Sequence, residues 1–219
     1  MNVTRAPTDH AGGKWRLRYD SSIGEGGNLE VDLNFMFRVP LWPVVAMDAE
    51  MGSYGATQIP VLDLHELAAG KLAALLARHA GRDLFDTHHL LTKMDLEKEK
   101  LRLGFVLYGA MNRKDWRTVK TDDVDYDRRE LENRLLPVVR KQFFKEQLSD
   151  NWAKQMIQEC RDALDVVLPL ADNEVAFLNE ILDRGEIKPK LLTDDTEMSE
   201  RITSHPLLQW KAVNVNQRK

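Results

Sequence analysis

The stretch from Val61 to Leu91, VLDLHELAAGKLAALLARHAGRDLFDTHHLL, constrains this chain more than any other. Leu64, Leu67, Ala68, Leu72, Leu75 and Leu76 recur at the i, i+3, i+4 spacing of one helical face. Lys71 falls in the middle of that face. An unpaired buried ammonium is costly, so Lys71 must snorkel outward or meet negative charge. A nearby carboxylate satisfies it, and so does a bound anion such as a nucleotide phosphate.

Around this stretch the sequence divides into an early β region and a later helical one. Lys14–Tyr19 and Leu29–Phe35 alternate apolar and polar residues with period two, the mark of strands with one buried face. The Gly-rich SSIGEGGN between them makes a hairpin connection. A third extended segment, 56–62, carries Pro60 and belongs at an edge or a strand end. Asp63, with Glu66 three residues later, resembles a capping box opening a helix that runs to about His79, with Gly81 as the break. A second helix is expected from about Arg82 past Leu91, and others over 96–112, 127–148, 150–168 and 172–185. After Gly185 come Pro189, Thr193, Asp194 and Asp195, a linker-like stretch, and the terminal NVNQRK reads as a fraying end. The class is α+β, a small sheet followed by helices. The expected division is 1–95 and 96–219, with the boundary somewhere near 95–125.

The bulk composition narrows the function. The net charge of −4 argues against a globally basic nucleic-acid binder, while leaving room for a local basic patch. Cys160 is the single cysteine, which excludes an internal disulfide and fits a reducing cytoplasm; a small buried filler is its expected role. No apolar run approaches the ~20 residues that span a bilayer, and MNVTRAPTDHAGGKW has no signal-peptide core.

Several residues have chemistry to offer. Glu30, Asp32 and Asn34 share the polar face of the second strand; they are either a solvated face or, through Asp32, a ligand for a hard divalent ion. Asp83 and Asp86 share a face of the second helix at i, i+3, where they also favour the helix dipole. Arg82 beside them either pairs locally or reaches a phosphate, and a Lys71–Asp contact between the two helices is expected. His88 and His89 point to different sides of a helix and show no metal-ligand spacing with His65 or His79. The glycines of GEGGN and Gly12–Gly13 do not precede a helix, which excludes a phosphate-binding loop. Trp152, Phe177, Leu178 and Leu182 read as core or as an interaction face.

The order and spacing of LEVDLNF, HELAAGKLAALLAR and GRDLFDTHHLL, over about residues 14–92, resemble the AbiEii/AbiGii toxin-type nucleotidyltransferases, a polymerase-β-like family of abortive-infection and toxin–antitoxin systems. The resemblance implies a nucleotidyltransferase-like core over 1–95. It makes Asp32 a metal-binding catalytic carboxylate and Lys71 a nucleotide contact. It places Arg82, Asp83 and Asp86 in the R-D-x-x-D element, with one of the two aspartates in the active site. It further implies transfer of a nucleoside monophosphate from an NTP, with Mg²⁺, to an acceptor such as tRNA, and an antitoxin as partner. The family's first motif, a Gly-Ser or Gly-Gly turn followed by a D-x-D-type pair, precedes the strand matched by LEVDLNF. Upstream here the only aspartates are Asp9 and Asp20, without that pattern, so the expectation is a start set too late, a split gene or a degenerate, weakly active relative. Two alternatives stand beside this: a non-catalytic scaffold that binds a partner through its C-terminal helices, and a transferase acting on a small molecule.

Overall fold

A computed structural model of the chain describes residues 2–5, 12–22, 24–137, 139 and 150–217. Strands β1 (Asn2–Arg5), β2 (Gly12–Tyr19) and β3 (Gly27–Asn34) form an antiparallel sheet in that order, and β4 (Val45–Met51) pairs with β5 (Tyr54–Val61) in a second hairpin. The hairpin expected through SSIGEGGN is present, with Trp15 opposite Val31 and Leu17 opposite Leu29. The third extended segment is β5. Its Pro60 lies opposite Ala46 in a two-stranded sheet, where both strands are edges and a missing N–H is tolerated. Strands β1 and β4 were not legible in the sequence.

The expected buried face of these strands is not realised. Leu29, Val31 and Leu33 are exposed on β3, as is Phe35 just beyond it, while Trp15 and Leu17 on β2 are half-buried. Alternation reports that a strand has two unlike faces; it does not report that something covers the apolar one.

The helical body begins with α1 (Leu64–Arg78), α2 (Gly81–Lys93) and α3 (Lys98–Ala110). Asp63 caps α1 by accepting from the His65 N–H, but Glu66 does not close the box. It turns inward to accept from the backbone N–H of Leu41 and the hydroxyl of Tyr108. The break between α1 and α2 lies at His79, whose left-handed backbone (φ 54°) ends α1. Gly81, expected to mark the break, is instead the first residue of α2 and lies tight against Leu131, where a Cβ would meet the Leu131 Cα at 2.9 Å.

Helix α4 (Arg128–Glu130) runs into a wider turn over Leu131–Leu135; the remainder of the helix expected over 127–148 lies largely outside the described residues. Then follow α5 (Asp150–Ala163) and α6 (Asp172–Asn179), the latter extended to Arg184 and ended by Gly185 in the left-handed region. The linker-like stretch after Gly185 holds a short 3-10 turn, Pro189–Leu191, and leads into α7 (Thr196–Ser204), whose N-cap is Asp195, and α8 (Pro206–Asn216), which pack on the body. The turn-forming residues Thr193–Asp195 announced a helix start. The fraying tail is corrected, since Asn214–Asn216 are helical.

One hydrophobic core runs through the body, from Leu41 through Leu72, Phe105, Trp116 and Phe177 to Leu208. Phe177, Leu178 and Cys160 are in it, and Trp152 and Leu182 pack against it, as core rather than as an open face. Burial pushes the Cys160 thiol up to about 12, which makes it inert at neutral pH. Among the described residues no helix is long and apolar enough to cross a membrane.

Candidate active site

Helices α1 and α2 form a hairpin crossed by two ion pairs, whose cations lie two turns apart on α1 and whose carboxylates lie about one turn apart on α2. Lys71 Nζ stands 2.6 Å from Asp86 Oδ2, and both side chains are 41% exposed. The Lys71 row is therefore the half-open edge of α1, and the residues facing the core include Ala68, Ala69, Leu72, Leu75 and Leu76. An ammonium has three N–H donors, and Asp86 takes one, so Lys71 can present others to an anion in solvent.

The second pair is different in kind. Arg78 holds both oxygens of Asp83, with Nη2 to Oδ1 at 2.9 Å, and Asp83 is 2% exposed while Arg78 is 63% exposed. The Asp83 carboxylate raises the already high pKa of Arg78 further. Asp83 and Asp86 thus share a helix but not an environment. Asp83 is buried and fully engaged, whereas Asp86 is open and bound to the lysine. Arg78 was not singled out in the sequence, although its place seven residues after Lys71 sets it on the same row.

Arg82 is paired locally, its Nε 3.1 Å from Glu130 Oε1; Glu130 also accepts from the Arg82 backbone N–H and so caps α2 from a neighbouring element. His88 meets Glu159 of α5, and Glu159 is held below its usual range by that contact. His65 accepts from the Glu97 N–H through Nε2, so Nδ1 carries the proton and donates to Asp63. These histidines are occupied as structural groups. Among the described residues no three potential ligands gather as a metal site.

Asp32 lies on β3, with its side chain 72% exposed and Lys14 Nζ at 3.4 Å. Its neighbour Glu30 is held by Lys14 and Arg16, each at 2.7 Å, and Lys14 and Arg16 together lower the Glu30 pKa. Among the described residues no hydrogen bond or ion pair joins Asp32 to Lys71 or Asp86. Mg²⁺ is commonly bound by one or two carboxylates together with substrate phosphates. Asp32 could supply one open carboxylate to such an ion, with triphosphate oxygens and water as the remaining ligands. An open hollow lined by Lys190, Ser199, Thr203 and Gln209 on the C-terminal helices shares no residue with these groups.

Two small antiparallel sheets followed by a helical body make the α+β fold of a nucleotidyltransferase toxin. The structure resembles MenT4, the nucleotidyltransferase toxin Rv2826c from Mycobacterium tuberculosis H37Rv, with a TM-score of 0.53 and 15% identity over 93% of this chain. The match covers 66% of the MenT4 chain, so this chain spans just under two thirds of its length. At that identity the likeness establishes the fold. The family model for the nucleotidyl transferase AbiEii toxin of type IV toxin–antitoxin systems matches residues 2–176, and the chain belongs to that family. No curated protein matches it.

Proposed function

We propose that this chain transfers a nucleoside monophosphate from an NTP to an RNA acceptor such as tRNA, and that it acts as the toxin of a pair restrained by an antitoxin. The observation that carries this reading is the half-exposed Lys71–Asp86 pair within the segment matched by the family. Lys71 binds the triphosphate, where a fixed cation stabilises charge developing on the phosphoryl group. Asp86 holds the ammonium in place through its single contact, so Asp86 rather than Asp83 is the active-site aspartate of the pair. Asp83 and Arg78 brace α1 against α2. Arg82 reaches the nucleotide by leaving Glu130, which its exposed position allows. Asp32 offers a carboxylate to Mg²⁺, which when bound supplies charge neutralisation at the reacting phosphate. A cytoplasmic setting and a role in abortive infection accord with the free Cys160 thiol and with the family.

The test is transfer from labelled NTPs to total tRNA in Mg²⁺, comparing the wild-type chain with Lys71→Ala and Asp86→Ala. Loss in both variants supports the reading, and wild-type transfer by Lys71→Ala removes it. A second reading, a non-catalytic scaffold, takes the Lys71–Asp86 contact as a structural ion pair. It predicts no Mg²⁺-dependent stabilisation by any NTP.

A further inference from the structure

Asp32 and Lys71 sit on different elements, and the described residues hold a physical link between them. Asn34 at the end of β3 caps a short 3-10 turn, Phe35–Phe37, by accepting from the Met36 N–H at 2.9 Å. The Phe37 ring then stacks on Tyr108 of α3, with centroids 5.7 Å apart and planes at 17°. Phe37 also meets His205, at the start of α8, edge-on with centroids 6.0 Å apart. Tyr108 in turn reaches α1 in two ways. Its hydroxyl donates to Glu66 Oε1 at 3.1 Å. Its ring lies against Gly70, where a Cβ would stand 3.1 Å from Tyr108 Cε1. Gly70 is the residue immediately before Lys71. The strap from β3 is also tied to α1 at Leu41, whose N–H donates to Glu66 Oε2 at 2.9 Å.

We propose that Tyr108 is a positioning residue for nucleotide transfer: wedged between Phe37 and Gly70, its ring sets the strand bearing Asp32 against the helix bearing Lys71. The Gly70 side of the ring is closely packed while Phe37 is exposed to solvent, so the stack joins a packed helix face to the open end of β3. This rests on the proposed function, since it takes Asp32 and Lys71 as two halves of one site.

Gly70→Ala is the most discriminating variant. Alanine favours a helix over glycine, so α1 should not weaken through backbone propensity. The new methyl would nevertheless push the Tyr108 ring by a few tenths of an ångström. The measurement is the affinity for each of the four NTPs, fluorescently labelled, with and without Mg²⁺. In the wild type Mg²⁺ should tighten binding, because the two halves then share one ligand. In Gly70→Ala and in Tyr108→Leu we expect the Mg²⁺-free affinity to persist and the Mg²⁺ enhancement to fall about tenfold. Transfer in Mg²⁺ should show a KM for NTP raised in step with the weaker binding, together with a lower kcat. Tyr108→Phe keeps the stack and should recover most of the enhancement, whether or not Tyr108→Leu folds. Wild-type enhancement and transfer in Gly70→Ala and Tyr108→Phe alike, with both lost in Asp32→Ala and Lys71→Ala, would overturn the positioning role alone. If Asp32→Ala and Lys71→Ala themselves bind and transfer like the wild type, the function on which it rests falls instead.

Discussion

Arg78 and Asp83 form a lopsided pair, and the asymmetry has measurable consequences. Removing Arg78 leaves a buried carboxylate without its partner, whereas removing Asp83 leaves a guanidinium already largely in water. Arg78→Ala should therefore cost about 3 kcal/mol in urea denaturation and Asp83→Ala only about half as much. Equal losses would show that Asp83 finds another partner. The Lys71–Asp86 pair is open at both ends, so Lys71→Ala should change stability by less than about 1 kcal/mol while abolishing transfer. His205 gives a second residue-scale expectation. It is fully buried, burial and to a lesser degree the charge of Arg38 lower its pKa to about 4, and its ring accepts from the Leu207 N–H at the start of α8. Unfolded histidine titrates near ~6.5, so the unfolded chain takes up the proton first as pH falls. Stability should thus decline between pH ~6.5 and ~4, by on the order of 3 kcal/mol from this group, and level off below. His205→Asn keeps a capping acceptor and should show a shallower decline than the wild type over the same window.

Elements divide into those the sequence announced and those it did not. The hairpin β2–β3 and helices α1, α3 and α5 could be read from periodicity and turn residues, because each carries its own local signal. Strand β4 has no clean alternation, and apolar residues surround α8 rather than forming one stripe, so both were missed. Glu66 shows how a local rule can be outbid: its position suits a capping box, but the unpaired N–H of Leu41, far away in sequence, offers the buried carboxylate a partner. The candidate site was legible in the same measure. The Lys71–Asp86 contact could be anticipated from helical spacing, whereas the division of labour between Asp83 and Asp86 depended on where Arg78 would point. Close packing between elements supplies another test. A Cβ on Gly109 would lie 2.0 Å from Trp116 Cδ1. Gly109→Ala should displace the Trp116 ring from the core and lower stability by about 2 kcal/mol or more, seen as a reduced unfolding midpoint with altered tryptophan fluorescence.

At the scale of the whole molecule, ligand binding separates the enzyme from the scaffold. A chain that binds NTP and Mg²⁺ in its folded form should gain about 2.7 kcal/mol at a hundredfold excess over Kd, read as a rise in melting temperature that Lys71→Ala removes. The core that joins Leu41 to Leu208 means such a gain should be felt throughout the body rather than in one half. The sheet has its own bearing on how this protein can be handled. Strand β3 lies at the sheet edge, with Leu29, Val31 and Leu33 open to solvent and Glu30 and Asp32 interleaved among them. Exposed apolar edges invite strand addition from another molecule, and interspersed charge is what discourages it. Asp32 is then a gatekeeper against self-association as well as a candidate ligand. Asp32→Ala would remove both at once, and a loss of transfer could report aggregates instead of missing chemistry. Asp32→Glu, which keeps the charge and moves the carboxylate, is the cleaner comparison, and light scattering on the two variants should find the alanine chain the more polydisperse.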